Sequence, residues 1–112
     1  MLINCTLLIF SGRPNPEWII DDESVQNSLL ALIQRLPARQ PAPEMPSILG
    51  YQGCRFQIDG VQWSVRQGIV RQGQPGNLHF FSDPDHQLEK ALLRTAPASY
   101  STLADSLLAS EF

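Results

Sequence analysis

Between Phe10 and Trp18 the chain reads Phe10-Ser11-Gly12-Arg13-Pro14-Asn15-Pro16-Glu17-Trp18, spacing a guanidinium, an amide and a carboxylate along a segment that holds two prolines. Pro14 and Pro16 fix their own φ and push Arg13 and Asn15 toward extended conformations. Gly12 permits a sharp turn, and Trp18 offers a large apolar anchor with one N–H to satisfy. Such a loop suits recognition: Arg13 and Trp18 are the residue types that dominate interface energetics, and Asn15 and Glu17 add polar contacts. The same composition also makes a plain structural corner, with prolines as turn residues and tryptophan as a plug. Alternatively, Arg13 could hold an anion while Asn15, Glu17, Asp83 or His86 supply polar contacts, as a small enzyme or anion-ligand-binding protein would require.

Templates for catalysis are not met. Ser11 beside Gly12 and Arg13 has no base or orienting group at a recognisable spacing. No phosphate-cradling glycine loop, HExxH, paired-cysteine site or GxSxG elbow occurs. Asp83, Asp85 and His86 form the one local cluster with acid–base potential, although a helix start at Asp83-Pro84 already accounts for both aspartates. His79 and His86 lie seven residues apart without a third ligand, so neither a metal nor a cofactor is expected. Cys5 and Cys54 fit neither a disulfide framework nor a CxxC site and read as buried reduced thiols.

Charge narrows the partners. Net charge is −3, which provides no global field for DNA or an anionic membrane. Seven of the eight cations are arginines, suited to bidentate or stacked contacts. Arg55, Arg66 and Arg71 would gather on the polar side of a sheet, a weak case for RNA binding. Against it, Phe56 and Trp63 fall on the opposite, apolar side, where no base could stack on them.

The elements that must position these residues follow from periodicity. Leu2 to Phe10 alternates, with Ile3, Cys5, Leu7 and Ile9 on one apolar face, and reads as a strand that is central in the sheet or partly covered on its second side. After the loop, Asp21 is the expected N-cap of a helix, with Ile20 and Val25 as its staple and Val25, Leu29, Leu32, Ile33 and Leu36 as its buried stripe. Prolines 37, 41, 43 and 46 make an extended connector, which could also serve as a ligand arm. Cys54, Phe56 and Ile58 alternate before Asp59-Gly60, and Val61, Trp63 and Val65 alternate after it, so a two-residue hairpin pairs 58 with 61, 56 with 63 and 54 with 65. Gly68 suggests a bulge, the 73–76 segment a turn, and Asn77 to Phe81 a further strand. Asp83 should cap the next helix with Pro84 at its first position, its inward side being Leu88, Ala91 and Leu92. Ser99 or Ser101 should cap the last helix. The expected fold class is α+β: an antiparallel or mixed sheet of about four to five strands with helices on one face, in the order β-α-β-β-β-β-α-α.

With 112 residues, 43% of them apolar and 17% charged, the chain is expected to form a single domain spanning residues 1–112. No basic region precedes the first apolar run and no cleavage site follows it, which points to the cytoplasm. That run of nine residues also falls far short of the roughly 20 that span a bilayer, so no membrane partner is expected. Ser11-Gly12-Arg13-Pro14-Asn15-Pro16-Glu17-Trp18, Leu49-Gly50-Tyr51-Gln52-Gly53 and Asp83-Pro84 together resemble a group of small, uncharacterised bacterial proteins with an SGRPNP-type loop. The resemblance covers most of the chain and implies a free-standing bacterial protein, but it brings no activity, cofactor or catalytic residue with it. The leading expectation is a non-enzymatic accessory or protein–protein interaction module. It would use the rigid 11–18 loop, joined by Tyr51 and the proline-rich arm, to grip a protein or peptide.

Overall fold

The computed structural model describes the chain apart from Met1, Phe10, Ser11, Gly12, Arg13, Ser47 and Leu49. Six antiparallel strands form one sheet in the order β2-β1-β3-β4-β5-β6. They are β1 (Ile3–Leu7), β2 (Glu17–Ile20), β3 (Cys54–Ile58), β4 (Val61–Arg66), β5 (Ile69–Gln74) and β6 (Asn77–Ser82). Helices α1 (Glu23–Gln34), α2 (Gln87–Leu93) and α3 (Ser101–Ser110) complete an α+β fold, with α2 packed between α1 and α3. The Cα radius of gyration, 13.4 Å, matches the value of about 13 Å expected for one compact unit of this length.

The hairpin has the expected register, with Cys54 opposite Val65, Phe56 opposite Trp63 and Ile58 opposite Val61. Alternation then selects the core face. Ile3, Cys5 and Leu7, Trp18 and Ile20, Cys54 and Phe56, Trp63 and Val65, and Val70 are all buried together with Leu88, Leu92 and Leu93 of α2. Phe56 and Trp63 stack with ring centroids 5.7 Å apart, and Phe81 continues the row 6.0 Å from Trp63.

Several expectations need correction. The sheet has six strands because Glu17–Ile20, expected as the end of a loop, is a strand paired with β1. Trp18 and Ile20 share its buried side, so the tryptophan does plug the core, but from within the sheet. The α1 cap is Asp22, whose Oδ1 accepts from the Val25 N–H at 3.0 Å, instead of Asp21. This one-residue shift dissolves the expected Ile20–Val25 staple. In its place the buried Gln26 side chain donates to the Ile20 carbonyl at 2.9 Å. Gln67-Gly68 is a tight turn and not a bulge: both residues have positive φ, and the flanking Arg66 and Ile69 pair directly. Neither Ser99 nor Ser101 caps α3. A single 3-10 turn, Ala98–Tyr100, leads into it, and the Ser101 hydroxyl donates back to the Ala98 carbonyl.

On the other face of the sheet the proline-rich connector is pinned down. Pro37 accepts from the Ser82 N–H and Arg39 donates to the Phe80 carbonyl, which extends pairing along the β6 edge. Farther on, Arg66 donates to the Pro46 carbonyl and Arg71 to those of Ala42 and Pro43, with the Arg71 guanidinium 5.5 Å from the Phe80 ring. Two of the three arginines considered for RNA therefore hold the protein's own backbone, while Arg55 is exposed on the same face. Among the described residues no helix is long and apolar enough to cross a membrane.

Candidate functional site

One end of the sheet collects the segments of greatest chemical interest. There β1, β4 and β6 end and β2, β3 and β5 begin, so the 50–53, 67–68 and 83–86 connections lie side by side with the residues that leave β1 and enter β2. Their backbones are laced together. Leu7 N–H donates to the Pro16 carbonyl at 2.9 Å, Leu8 N–H to Gly53 at 3.0 Å, Gln52 N–H to Leu8 at 2.7 Å, and Asp83 N–H to Gly68 at 2.8 Å.

Tyr51 sits at the centre of this end. Its hydroxyl donates to Glu89 Oε2 and lies 3.5 Å from Cys54 Sγ. Burial, reinforced by Cys54 and Glu89, pushes the phenol far above its ordinary range, so it remains a proton donor. Glu89 comes from the first turn of α2 and is only 2% exposed. Burial raises its carboxyl, and the nearby charges of Asp83 and Glu111 raise it further; the Tyr51 hydrogen bond and His86 pull the other way.

Asp83 sets the position of that glutamate. Its buried carboxylate accepts from the Leu88 N–H at 2.8 Å and the Glu89 N–H at 3.1 Å, capping α2 across an intervening 3-10 turn, Pro84–His86. The expected cap residue is thus correct, but its helix begins three residues later than a conventional N-cap allows. The detour forces Asp85 and His86 to φ values of 54° each, a left-handed conformation that costs non-glycine residues energy. It also brings the half-exposed His86 ring up to Glu89, with Nδ1 4.0 Å from Glu89 Oε1. Both of those atoms are buried, and neither has a hydrogen-bond partner. The two residues line a half-open pocket of about 110 Å³, walled also by Tyr51, Arg66, Glu111 and Phe112. The Phe112 ring lies 5.2 Å from that of His86.

Of the residues expected to bind, Tyr51 reaches this pocket. Asn15 instead accepts from the Ile9 N–H at 2.9 Å and closes the base of the 11–18 loop. Trp18 is buried, donates to Thr95 Oγ1 at 2.9 Å and packs on Tyr100, so its indole is taken up internally. Glu17 is exposed at the start of β2, and Arg13 lies outside the described residues. Asp83 and His86 do come together, whereas His79 lies toward the opposite end of β6. No group of three or more His, Cys, Asp or Glu among the described residues could hold a metal ion. Cys5 and Cys54 are both buried and free. Their mutual hydrogen bond, together with burial, raises the Cys5 thiol well above its usual range. Sequence reasoning passed over Glu89; its signal was Leu93 four residues on, which puts the acid on a buried helical face.

No protein family, curated protein or solved structure matches this chain.

The raised Glu89 carboxyl makes a testable contribution to stability. Because its folded value lies above the ordinary 4.5, the contribution is fully present below that value and is lost as pH rises through the folded value. Urea unfolding of wild type and Glu89→Gln from about pH 4 to about pH 8 should therefore show wild type losing ground to the variant with rising pH. A difference that stays constant across this range would remove Glu89 as the strained acid.

Proposed function

We propose that the chain is a non-enzymatic accessory or protein–protein interaction module. It receives a protein or peptide along the 11–18 loop and along strand β2, which continues that loop. The observation that carries this reading is the fixed base of the loop: Leu7 to Pro16 and Ile9 to Asn15 tie its two limbs together, and Leu8 is tied in turn to Gln52 and Gly53. A closed base limits the conformational entropy lost when the tip meets a partner. Beyond the base, β2 is an edge strand, and Ile19 on its outer side is 56% exposed. Leu2, just before the neighbouring strand β1, is 59% exposed and leaves a second apolar side chain open to solvent near this backbone edge. Strand addition is the recognition mode that such an edge supports. Arg13 would contribute from the loop.

The test is affinity capture followed by reconstitution with the purified partner. A genuine partner should bind wild type and a Leu78→Lys control on β6, the opposite edge of the sheet, and bind an Arg13→Ala, Ile19→Lys double variant about tenfold or more weakly. Equal binding by all three proteins would overturn the proposal.

A second reading, a protein that binds a small ligand, is favoured by the pair of unsatisfied buried atoms at His86 and Glu89. The acidic character of that pocket suits a different ligand from the anion that Arg13 would hold.

A further inference from the structure

We infer that the pocket between Tyr51, His86, Glu89 and Phe112 is a binding site for a small ligand bearing a primary ammonium group. The inference does not depend on partner binding at the 11–18 loop. Glu89 Oε1 is a buried carboxylate oxygen with no hydrogen bond, although its sister oxygen is satisfied by Tyr51. A charged acceptor left bare in this way is costly unless something donates to it. His86 Nδ1, 4.0 Å away, is equally bare. That separation is too long for a direct hydrogen bond, yet it lets one nitrogen sit within hydrogen-bond range of both atoms. A neutral imidazole with its proton on Nε2 presents a lone pair at Nδ1, so the two atoms together ask for a centre with two N–H donors.

The surroundings select a cation as that centre. Glu111 adds a second carboxylate to the wall, and the Phe112 ring, which already lies 5.8 Å from the Lys90 ammonium, is a group that attracts positive charge. Arg66, the one arginine in the wall, donates to the Pro46 carbonyl at 3.1 Å. A volume of about 110 Å³ encloses a few non-hydrogen atoms, too few for a whole nucleotide or sugar phosphate. Anionic ligands would meet Glu89 and Glu111 directly.

Ethylammonium is a suitable probe, with acetate and tetramethylammonium as controls of opposite charge and of equal charge without N–H donors. Titration followed by heteronuclear NMR should give saturable shifts of the Gly53, Gln67, His86 and Glu89 amides with ethylammonium alone. Binding should weaken about tenfold or more in Glu89→Gln, whose amide lacks the charge. It should also weaken measurably in Glu111→Gln, an exposed site whose replacement leaves the core untouched. If Glu89→Gln does not fold, the Glu111→Gln result decides alone: weaker binding supports the site and unchanged binding overturns it. Absence of saturable shifts, which would leave the pocket to water, overturns it too, as do equal shifts with tetramethylammonium or acetate.

Discussion

Gly53→Ala should destabilise the protein by about 3 kcal/mol or more, the largest loss expected from adding a single methyl group. Gly53 has a φ of +96°, which an alanine adopts only at a cost. The added Cβ would also stand 2.3 Å from the Val65 carbonyl oxygen and 2.9 Å from the Arg66 Cβ, so the clash falls on strand backbone that cannot swing aside. The damage should reach the candidate site, because Gly53 accepts from the Leu8 N–H and connects Tyr51 to Cys54 at the start of β3. Gly60→Ala is the internal control. Its φ is +82°, but a Cβ there meets nothing within 4 Å, so only the conformational penalty of about 1–2 kcal/mol remains. Denaturant unfolding of both variants measures the difference, and equal losses would show that the β4 backbone gives way easily.

Asp83→Ala should cost about 2–4 kcal/mol. The substitution removes both acceptors from the Leu88 and Glu89 N–H groups, which are buried and have no carbonyl of their own turn to replace them. It also takes away the anchor around which Asp85 and His86 are held at positive φ, so that turn should relax and carry the His86 ring away from Glu89. Asp83→Asn keeps one acceptor oxygen and should lose about half as much. Unfolding curves give the energies, and the chemical shift of the His86 ring reports the relaxation. An unchanged His86 environment in Asp83→Ala would show that the turn holds itself in place.

Legibility in the sequence followed the strength of local periodicity. The 54–58 and 61–66 strands were readable to the residue because a one-residue slip would expose every apolar side chain, and Asp59-Gly60 supplies the positive φ values that a two-residue turn needs. Strand β2 was not readable. It has only four residues, follows two prolines, and places the apolar Ile19 on its exposed side, which blurs the alternation of Trp18 and Ile20. The neighbouring Asp21 and Asp22 offer equivalent caps, and the choice between them was made by where β2 ends. Arg66 and Arg71 looked like a solvated basic patch because nothing local shows that the proline-rich connector crosses back over them.

The candidate site divides along the same line. Asp83 and His86 announce themselves at a helix start, but Tyr51 and Glu89 are 38 residues apart and meet only because β3 and α2 pack at the same end of the sheet. By itself, then, the sequence determined the α+β class and the apolar face of each regular strand, since each follows from a two- or 3.6-residue period. Only the tertiary structure decided that Trp18 is spent in the core, that Asn15 closes the loop base, and that a buried glutamate and a left-handed histidine face each other across a small pocket. Those outcomes depend on which distant backbone and side-chain groups remain to satisfy a buried polar atom, a condition set by packing that no local pattern encodes.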